Sequence, residues 1–216
     1  MAHKPDIPTT TLLDCAVETA RAAGNHALSN RARRTEIVAR FDHDVKLQLD
    51  LECQEIAETT IRTHFPAHSF LGEEQADDNE GAQDGYQWIV DPIDGTINFS
   101  HGLPFWCCSV AVRKDQRVVA GAVFAPMLKE LYTATIDGPA QCNGEALAVS
   151  DTPTLQRSLV HTGTDKKFEG NPAPLSIFKA IALSVQRTRI TGFAAYDICQ
   201  VAAGRADGYF EGEIYI

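Results

Sequence analysis

Apolar positions in the first third of the chain recur with a helical period in two segments. In residues 11–28 this pattern predicts a surface helix, in which Thr11 and Asp14 have the spacing of a capping box at the helix start. A second pattern, between Leu49 and Ile61, predicts a helix that ends near Phe65, because Pro66 cannot continue it. The apolar positions of the first helix are Leu13, Ala16, Val17, Ala20, Ala23 and Ala27.

Residues 87–136 change to short β-rich runs, QWIVD, WCCSVAV, RVVAGAVFA and ELYTATI, which polar or proline-containing turns separate. This series of short β-rich runs and turns predicts an antiparallel meander. Beyond residue 150 strands and helices alternate, with strands at 158–161 and 189–191 and helices at 174–186 and 196–203. We therefore expect an N-terminal α+β domain at 1–150 and a C-terminal α/β domain at 151–216.

Composition and charge narrow the class of protein. With 44% hydrophobic residues, the 216-residue chain can build a sizeable core. Its net charge of -10 argues against sequence-independent binding to nucleic acid or to an anionic membrane, so we expect neither partner. Its six cysteines form no CxxC motif and its start is not an apolar signal segment, which favours the reduced cytoplasm.

Two residue pairs have reactive spacings but favour structural roles. His64 and His68 form an HxxxH motif, yet Pro66 breaks the helix that would place them on one face, so we expect two surface histidines. Cys107 and Cys108 are neighbours in a strand-like run and point to opposite faces, so we expect two buried hydrophobic side chains.

The segment WIVDPIDGTINF at 88–99 carries the candidate chemistry. An apolar strand delivers Asp91 and Asp94 just past its end, and Gly95 permits a tight turn that exposes backbone amides. Two carboxylates and a backbone carbonyl offer hard oxygens to Mg²⁺, and the amides can cradle an anion. The D-x-x-D-G spacing alone favours a simpler reading, a turn with two solvated carboxylates.

The longer string WIVDPIDGTINFSHGLPF closely resembles the first signature of the inositol monophosphatase family of Mg²⁺-dependent phosphatases. HSFLGEE at 68–74 and VKLQLD at 45–50 resemble the family segments that carry a metal-binding glutamate and a catalytic aspartate, and residues 192–211 resemble the stretch before the second signature. The resemblance implies an α/β layered sandwich of the inositol monophosphatase/fructose-1,6-bisphosphatase type. In this fold an N-terminal α+β domain with an antiparallel sheet precedes a C-terminal α/β domain, which is incomplete here.

The resemblance also assigns roles to individual residues. The metal ligands it implies are Glu73, Asp91, the Ile93 carbonyl and Asp94. Catalysis falls to Glu73 and to a water-activating pair of Thr96 with Asp50. The substrate-binding positions are Asp94, Gly95, Thr96, Ala194 and Glu211.

Three of these regions also have simpler structural readings. Asp50 suits a helix N-terminus, where a carboxylate interacts favourably with the helix dipole. Glu73 is also typical of an exposed acidic loop. Asp197, near the predicted last helix, is as compatible with a helix cap as with a binding role.

The activity implied is hydrolysis of a small phosphate monoester, with inositol monophosphate as the favoured substrate, by a metal-activated water. The resemblance implies two or three Mg²⁺ ions, with Mn²⁺ as a substitute and Li⁺ as an inhibitor, in a homodimeric cytoplasmic enzyme. Alternatives on the same fold are histidinol-phosphate, fructose-1,6-bisphosphate and 3'-phosphoadenosine phosphate phosphatases; Ile97, Asn98 and Phe99 favour the inositol branch. A non-catalytic metal- or phosphate-binding protein is the alternative of another class.

One departure from the family pattern concerns the end of the sequence. The second signature begins with Trp-Asp, whose aspartate is a further metal ligand, and the sequence ends at Ile216, about two positions earlier. We therefore expect either a fragment of a longer protein or a truncation with impaired metal binding, and little activity from residues 1–216 alone.

Overall fold

The computed structural model describes residues 6–41, 45–73, 85–163 and 173–211. The helices are α1 (Thr9–Ser29), α2 (Gln48–His64), α3 (Thr96–Ser100), α4 (Ala173–Ser184) and α5 (Ala194–Ala202). The strands up to the middle of the chain are β1 (Ile37–Arg40), β2 (Val45–Leu47), β3 (Ser69–Gly72), β4 (Tyr86–Asp94), β5 (Cys107–Lys114) and β6 (Arg117–Ala125). The later strands are β7 (Glu130–Thr135), β8 (Gln141–Cys142), β9 (Glu145–Ala146), β10 (Leu159–Thr162), β11 (Arg187–Arg189) and β12 (Gly208–Phe210).

The larger sheet has seven strands in the order β3-β4-β5-β6-β7-β8-β9. Strand β3 runs parallel to β4, and the remaining neighbours are antiparallel. Tyr86, Trp88 and Val90 alternate along β4 with less buried residues and enter the main core under α1 and α2. The antiparallel meander predicted for 87–136 is thus confirmed.

Helix α1 packs against α2 and against β5 and β6 of this sheet. Its buried face consists mostly of small residues, which let the helix lie close to its neighbours. The predicted helix is confirmed, but its start is not: α1 begins directly after Pro8 without a side-chain cap, and Thr11 and Asp14 are exposed within its first turns. The predicted capping box is therefore wrong. Proline provides the start instead, since it fixes the backbone but lacks an amide hydrogen.

A second sheet, called the small sheet below, has three parallel strands in the order β11-β10-β12, while β1 and β2 pair antiparallel in a separate two-stranded sheet. Helix α5 contacts β12 on one side and β5 and β6 on the other, so it lies between the two sheets. Phe193, just before α5, packs with Cys107 and Ala125 on the face of the large sheet opposite α1. The alternation of strands and helices predicted for this half is confirmed. The domain boundary near residue 150 stays a prediction.

The cysteines and histidines singled out in the sequence have distinct environments. All six cysteines are free; Cys107 and Cys108 are fully buried in two different clusters, as predicted. His64 is exposed, but His68 is only 5% exposed, stacks between Phe65 and Tyr86, and accepts a hydrogen bond from Trp88 Nε1 at 2.9 Å. The prediction of two surface histidines is therefore wrong for His68, because Phe65 at the end of α2 and Tyr86 and Trp88 of β4 surround its ring.

None of the helices in the described part of the chain combines the length and apolar character needed to cross a bilayer.

Candidate active site

A bulge at the end of β4 turns Asp91 and Asp94 toward the same face. Three residue steps separate the two aspartates, whereas their partners on β5, Ser109 and Cys107, are two steps apart. Side chains three positions apart point to opposite faces of a regular strand, and one extra residue cancels this offset. Both carboxyls therefore lie on the face of Cys107, which is the face that α5 covers.

Glu73 reaches the same edge from the neighbouring strand. Because β3 and β4 are parallel, with Gly72 opposite Val90, the residues that follow these positions emerge side by side. The Glu73 amide donates to the carbonyl of Val90 at 3.1 Å, and the Glu73 and Asp91 carboxyls hydrogen-bond each other. Residue spacing alone does not place these residues together, because the pairing of β3 with β4 joins positions that are distant in sequence.

Burial and charge repulsion both oppose ionisation of these aspartates. Burial, followed by the charges of Glu73 and Asp94, raises the pKa of Asp91 well above its ordinary range. Burial also raises the pKa of Asp94 to about 6, although backbone amides and the Cys107 thiol hydrogen-bond to it and partly offset this effect. A cation placed among these carboxyls would relieve the repulsion.

Asp94, the last residue of β4, caps the N-terminus of α5. Phe193, the residue before the first turn, has no polar side chain with which to bind the free amides of the helix. Asp94 takes that place: Oδ1 accepts from the Ala194 amide at 3.1 Å and Oδ2 from the Ala195 amide at 2.8 Å. The structure thus joins Asp94 and the predicted pocket residue Ala194.

The Cys107 thiol supplies a further donor to the same carboxylate. Its Sγ lies 3.4 Å from Asp94 Oδ2. Burial, then the charges of Asp94 and Asp91, raises the pKa of this thiol well above 9.0, so it stays protonated and donates. The sequence predicts only a buried hydrophobic residue at Cys107 and gives no signal for this contact.

Gly95 starts α3 in a conformation that other residues rarely adopt. Its φ is +93°, and a Cβ atom there would lie 2.7 Å from the carbonyl oxygen of Phe105. The turn leaves Thr96 Oγ1 donating to the Ile93 carbonyl at 2.9 Å, and the Ile93 amide donating to Asp91 Oδ1 at 3.1 Å. The Ile93 carbonyl therefore faces the turn between the two aspartates, where a ligand role was predicted for it.

Asn98 ties this turn to the loop before α5. Its Nδ2 group lies 2.9 Å from the carbonyl oxygens of Phe105 and Thr191 and 3.3 Å from that of Gly192. From the sequence, Asn98 serves only to favour inositol monophosphate over the other candidate substrates. Its position directly after the DGT turn, on a helix too short to stand alone, is the signal that could have indicated this bridging role.

Asp50 occupies the start of α2 and is 1% exposed. Its Oδ2 accepts from the Leu47 amide at 2.7 Å, which matches the reading as a helix-terminus carboxylate. Helix α3, which carries Thr96, contacts β2, the strand that leads directly into α2. The catalytic pairing of Thr96 with Asp50 stays a prediction.

Glu211 lies directly after β12, at the edge where the parallel strands of the small sheet end. Its carboxylate accepts a hydrogen bond from Tyr209 and lies so close to Gly163 that a Cβ atom there would overlap it. Ligands of parallel α/β sheets bind at this strand edge, which suits the predicted substrate contact. That contact itself remains a prediction.

Asp197 is buried and does not cap α5, and the binding role considered for it stays a prediction. It is 2% exposed; Oδ1 lies 2.5 Å from His161 Nδ1, and Oδ2 accepts from Thr191 Oγ1 at 2.5 Å. The capping reading of Asp197 is therefore wrong, because Asp94 already fills that place.

Within the described ranges, no three His, Cys, Asp or Glu side chains are arranged to hold a metal ion. The site instead consists of paired contacts: Asp91 interacts with Glu73 and with Asp94, and Asp94 binds the amides of α5.

With this geometry in place, the chain can be compared with known proteins. The sequence profile of the inositol monophosphatase family matches residues 9–216. The inositol monophosphatase of Dictyostelium discoideum is 35% identical over 210 residues, which cover 94% of this chain and 76% of that protein. The Nus factor SuhB of Vibrio cholerae is 34% identical over 203 residues, which cover 93% of this chain and 76% of that protein.

The solved structures include a close match in fold. The extragenic suppressor protein suhB from Bartonella henselae gives a TM-score of 0.89 at 29% identity, over 95% of this chain and 80% of that chain. The predicted α/β layered sandwich is therefore confirmed. The expectation of no nucleic-acid partner has no support from these proteins, since several relatives are named Nus factors.

Proposed function

This chain belongs to the inositol monophosphatase family, and we propose that it hydrolyses a small phosphate monoester, most specifically inositol monophosphate, with the help of Mg²⁺. The observation that carries the proposal is that Asp91 lies beside both Glu73 and Asp94, which two features of the sheet bring about: the parallel β3–β4 pair and the bulge in β4. Three carboxyls at one strand edge cost stability, and a cation would offset that cost.

The donor chemistry of this edge fits a hard divalent cation. Mg²⁺ prefers oxygen ligands, and Glu73, Asp91, Asp94 and the Ile93 carbonyl are the residues that would hold it. When bound, Mg²⁺ supplies positive charge that lowers the pKa of water and neutralises the phosphate. Asp94 has a second task, since its carboxylate is shared with the amides of α5.

Thr96 and Asp50 would manage the proton of the attacking water. The Thr96 hydroxyl oxygen has lone pairs that can accept a proton from the water. In this relay the hydroxyl would donate to Asp50 in place of the Ile93 carbonyl, to which it donates in this structure. Asp50, an almost fully buried carboxylate in the first turn of α2, which directly follows the strand β2 that α3 contacts, is the partner that would take up the hydroxyl proton in turn. A positioned acid–base group of this kind contributes roughly 10²- to 10⁴-fold in rate.

The substrate would lie between the two sheets. The backbone turn at Gly95 and Thr96 would face the phosphate, while Ala194 at the start of α5 and Glu211 after β12 would face the polyol. Glu211 is a hydrogen-bond acceptor held by Tyr209, which suits a ligand with several hydroxyl groups.

Phosphate release by the full-length protein tests this proposal. Inositol monophosphate should be hydrolysed faster than histidinol phosphate, fructose 1,6-bisphosphate or 3'-phosphoadenosine phosphate. Thr96→Ala should lower kcat by about 10²-fold or more with little change in KM, whereas Thr96→Ser, which keeps the hydroxyl, should retain most activity. A higher KM with unaltered kcat would make Thr96 a binding residue instead. No release from any of the four substrates would favour a non-catalytic binding protein.

A further inference from the structure

A buried polar network lies behind Asp94, on the side of the small sheet. His161 of β10 is 8% exposed and Asp197 of α5 is 2% exposed. His161 Nδ1 and Asp197 Oδ1 are 2.5 Å apart, and Thr191 donates to the other carboxylate oxygen at 2.5 Å. Because a carboxylate only accepts, Nδ1 of His161 carries the proton in this pair.

This network is anchored in the turn that binds Asp94. Asp197 lies in the first turn of α5, and its amide donates to the Phe193 carbonyl at 3.1 Å. The amides of Ala194 and Ala195, which bind Asp94, belong to the same turn. Any rotation of Asp197 about the helix axis therefore also moves the two amides that hold Asp94.

The loop before α5 is held from the opposite side as well. Asn98 of α3 donates to the carbonyl of Thr191 at 2.9 Å, while the Thr191 hydroxyl binds Asp197. Asn98 thus fixes the loop to the large sheet, and His161 fixes the helix to the small sheet. The first turn of α5 lies between these two attachments.

We propose that His161 is a positioning residue that acts through Asp197: it holds the first turn of α5 where the Ala194 and Ala195 amides bind Asp94. Without the His161 donor, the buried Asp197 carboxylate loses one of its two side-chain partners and moves toward other donors. The amides then no longer converge on Asp94. For its effect on metal binding the inference rests on the proposed function, in which Asp94 is a ligand.

Two variants of His161 distinguish the positioning role from a role in packing alone. His161→Phe keeps a ring of similar size but removes the donor, whereas His161→Asn gives up the ring but places an amide N–H near the position of Nδ1. A positioning role predicts that Asn behaves like the parent and Phe does not. A packing role predicts the reverse order.

Hydrogen exchange at the Ala194 and Ala195 amides, followed by NMR in the full-length protein, reads out the position of the turn directly. We expect about tenfold faster exchange in His161→Phe, which corresponds to loss of one hydrogen bond to a charged group, and near-parent rates in His161→Asn. Parent rates in His161→Phe, or equal acceleration in both variants, would overturn the inference.

Mg²⁺ calorimetry on the same variants measures the consequence at the site. Outer residues that orient a metal ligand typically contribute 10- to 100-fold in affinity, so His161→Phe should weaken Mg²⁺ binding by about tenfold or more. His68→Phe is the matched control, because His68 is an equally buried histidine bonded to Trp88 in the other core; it should leave Mg²⁺ affinity unchanged. Equal weakening in His68→Phe and His161→Phe would assign the effect to general destabilisation and overturn the inference.

The two proposals fail in different ways. A parent protein that binds no Mg²⁺ contradicts the proposed function, while the exchange rates of Ala194 and Ala195 still decide the role of His161. Mg²⁺ binding that is normal in the parent and unchanged in His161→Phe contradicts the role of His161 and leaves the proposed function standing.

Discussion

Asp91→Asn is expected to stabilise the protein when a chelator removes divalent cations. Burial and the charges of Glu73 and Asp94 oppose ionisation of Asp91, so its carboxylate destabilises the fold at neutral pH. The amide has no charge, and its oxygen can still accept from the Ile93 amide, as Oδ1 of Asp91 does at 3.1 Å. Neutralisation therefore removes repulsion while keeping the local turn.

The size of the effect can be gauged from Asp94 in the same site. A rise of its pKa from 3.8 to about 6 corresponds to a penalty on the order of 3 kcal/mol at neutral pH. The pKa of Asp91 is raised in the same direction. Part of the stabilisation gained in Asp91→Asn is lost, because the hydrogens of the new amide group need hydrogen-bond partners. We expect Asp91→Asn to raise the free energy of unfolding by about 1–3 kcal/mol. Each kcal/mol should raise Tm by about 2–4 °C.

The pH dependence has a definite sign. A carboxyl whose pKa is raised in the folded state lowers stability as pH rises through that pKa. The difference between Asp91→Asn and the parent should therefore be large above pH 7 and small near pH 4. Urea unfolding in EDTA at both pH values measures it.

Asp207→Asn is the matched control with the opposite sign. Hydrogen bonds from Ser150, Thr152 and the Leu159 amide lower the pKa of Asp207, so its charge contributes stability that is present above its ordinary pKa and lost as pH falls. This variant should be less stable than the parent at pH 7. A lower free energy of unfolding for Asp91→Asn in EDTA at pH 7.5, or a gain that persists at pH 4, would refute the reasoning.

Three further substitutions test single contacts. Gly95→Ala should destabilise the protein by about 1–3 kcal/mol in urea unfolding, because φ is +93° and the new methyl group meets the Phe105 carbonyl; an unchanged midpoint would contradict this backbone geometry. Asn98→Ala should cost about 0.5–1.5 kcal/mol, because the Phe105 and Thr191 carbonyls lose their donor, and a thermal shift below 1 °C would argue against the bridge between the sheets. Gly163→Ala should displace Glu211 and raise KM for the phosphorylated polyol at constant Mg²⁺ affinity, whereas an unchanged KM would remove Glu211 from the substrate site.

Regular elements were predictable from the sequence because each buries one face. The helical period before Pro66 and the alternation along β4 both follow from contact with a single core. The burial of His68 could not be predicted in this way, because it depends on stacking against Tyr86, which is distant in sequence. Pro66 indicated only where the helix ends.

The candidate site was predictable in composition but not in arrangement. The string at 88–99 identified Asp91 and Asp94, yet their spacing of three predicts opposite faces unless a bulge intervenes, and the bulge is visible only in the pairing with β5. Helix α5 carries no capping residue of its own, so its partner Asp94 could not be found by local rules. The hydrogen bond from His161 to Asp197 likewise joins β10 to α5, two elements whose contact no local rule predicts.

Calorimetric titration of Mg²⁺ tests the central claim, that Glu73, Asp91 and Asp94 form one cation site. The parent should bind Mg²⁺ with release of protons, because the hydrogen-bonded Glu73 and Asp91 carboxyls must ionise as the cation enters. Asp91→Asn and Glu73→Gln should each weaken binding by tenfold or more, whereas Asp207→Asn should not change it. Equal Mg²⁺ affinity in the parent, Asp91→Asn and Glu73→Gln would contradict the account.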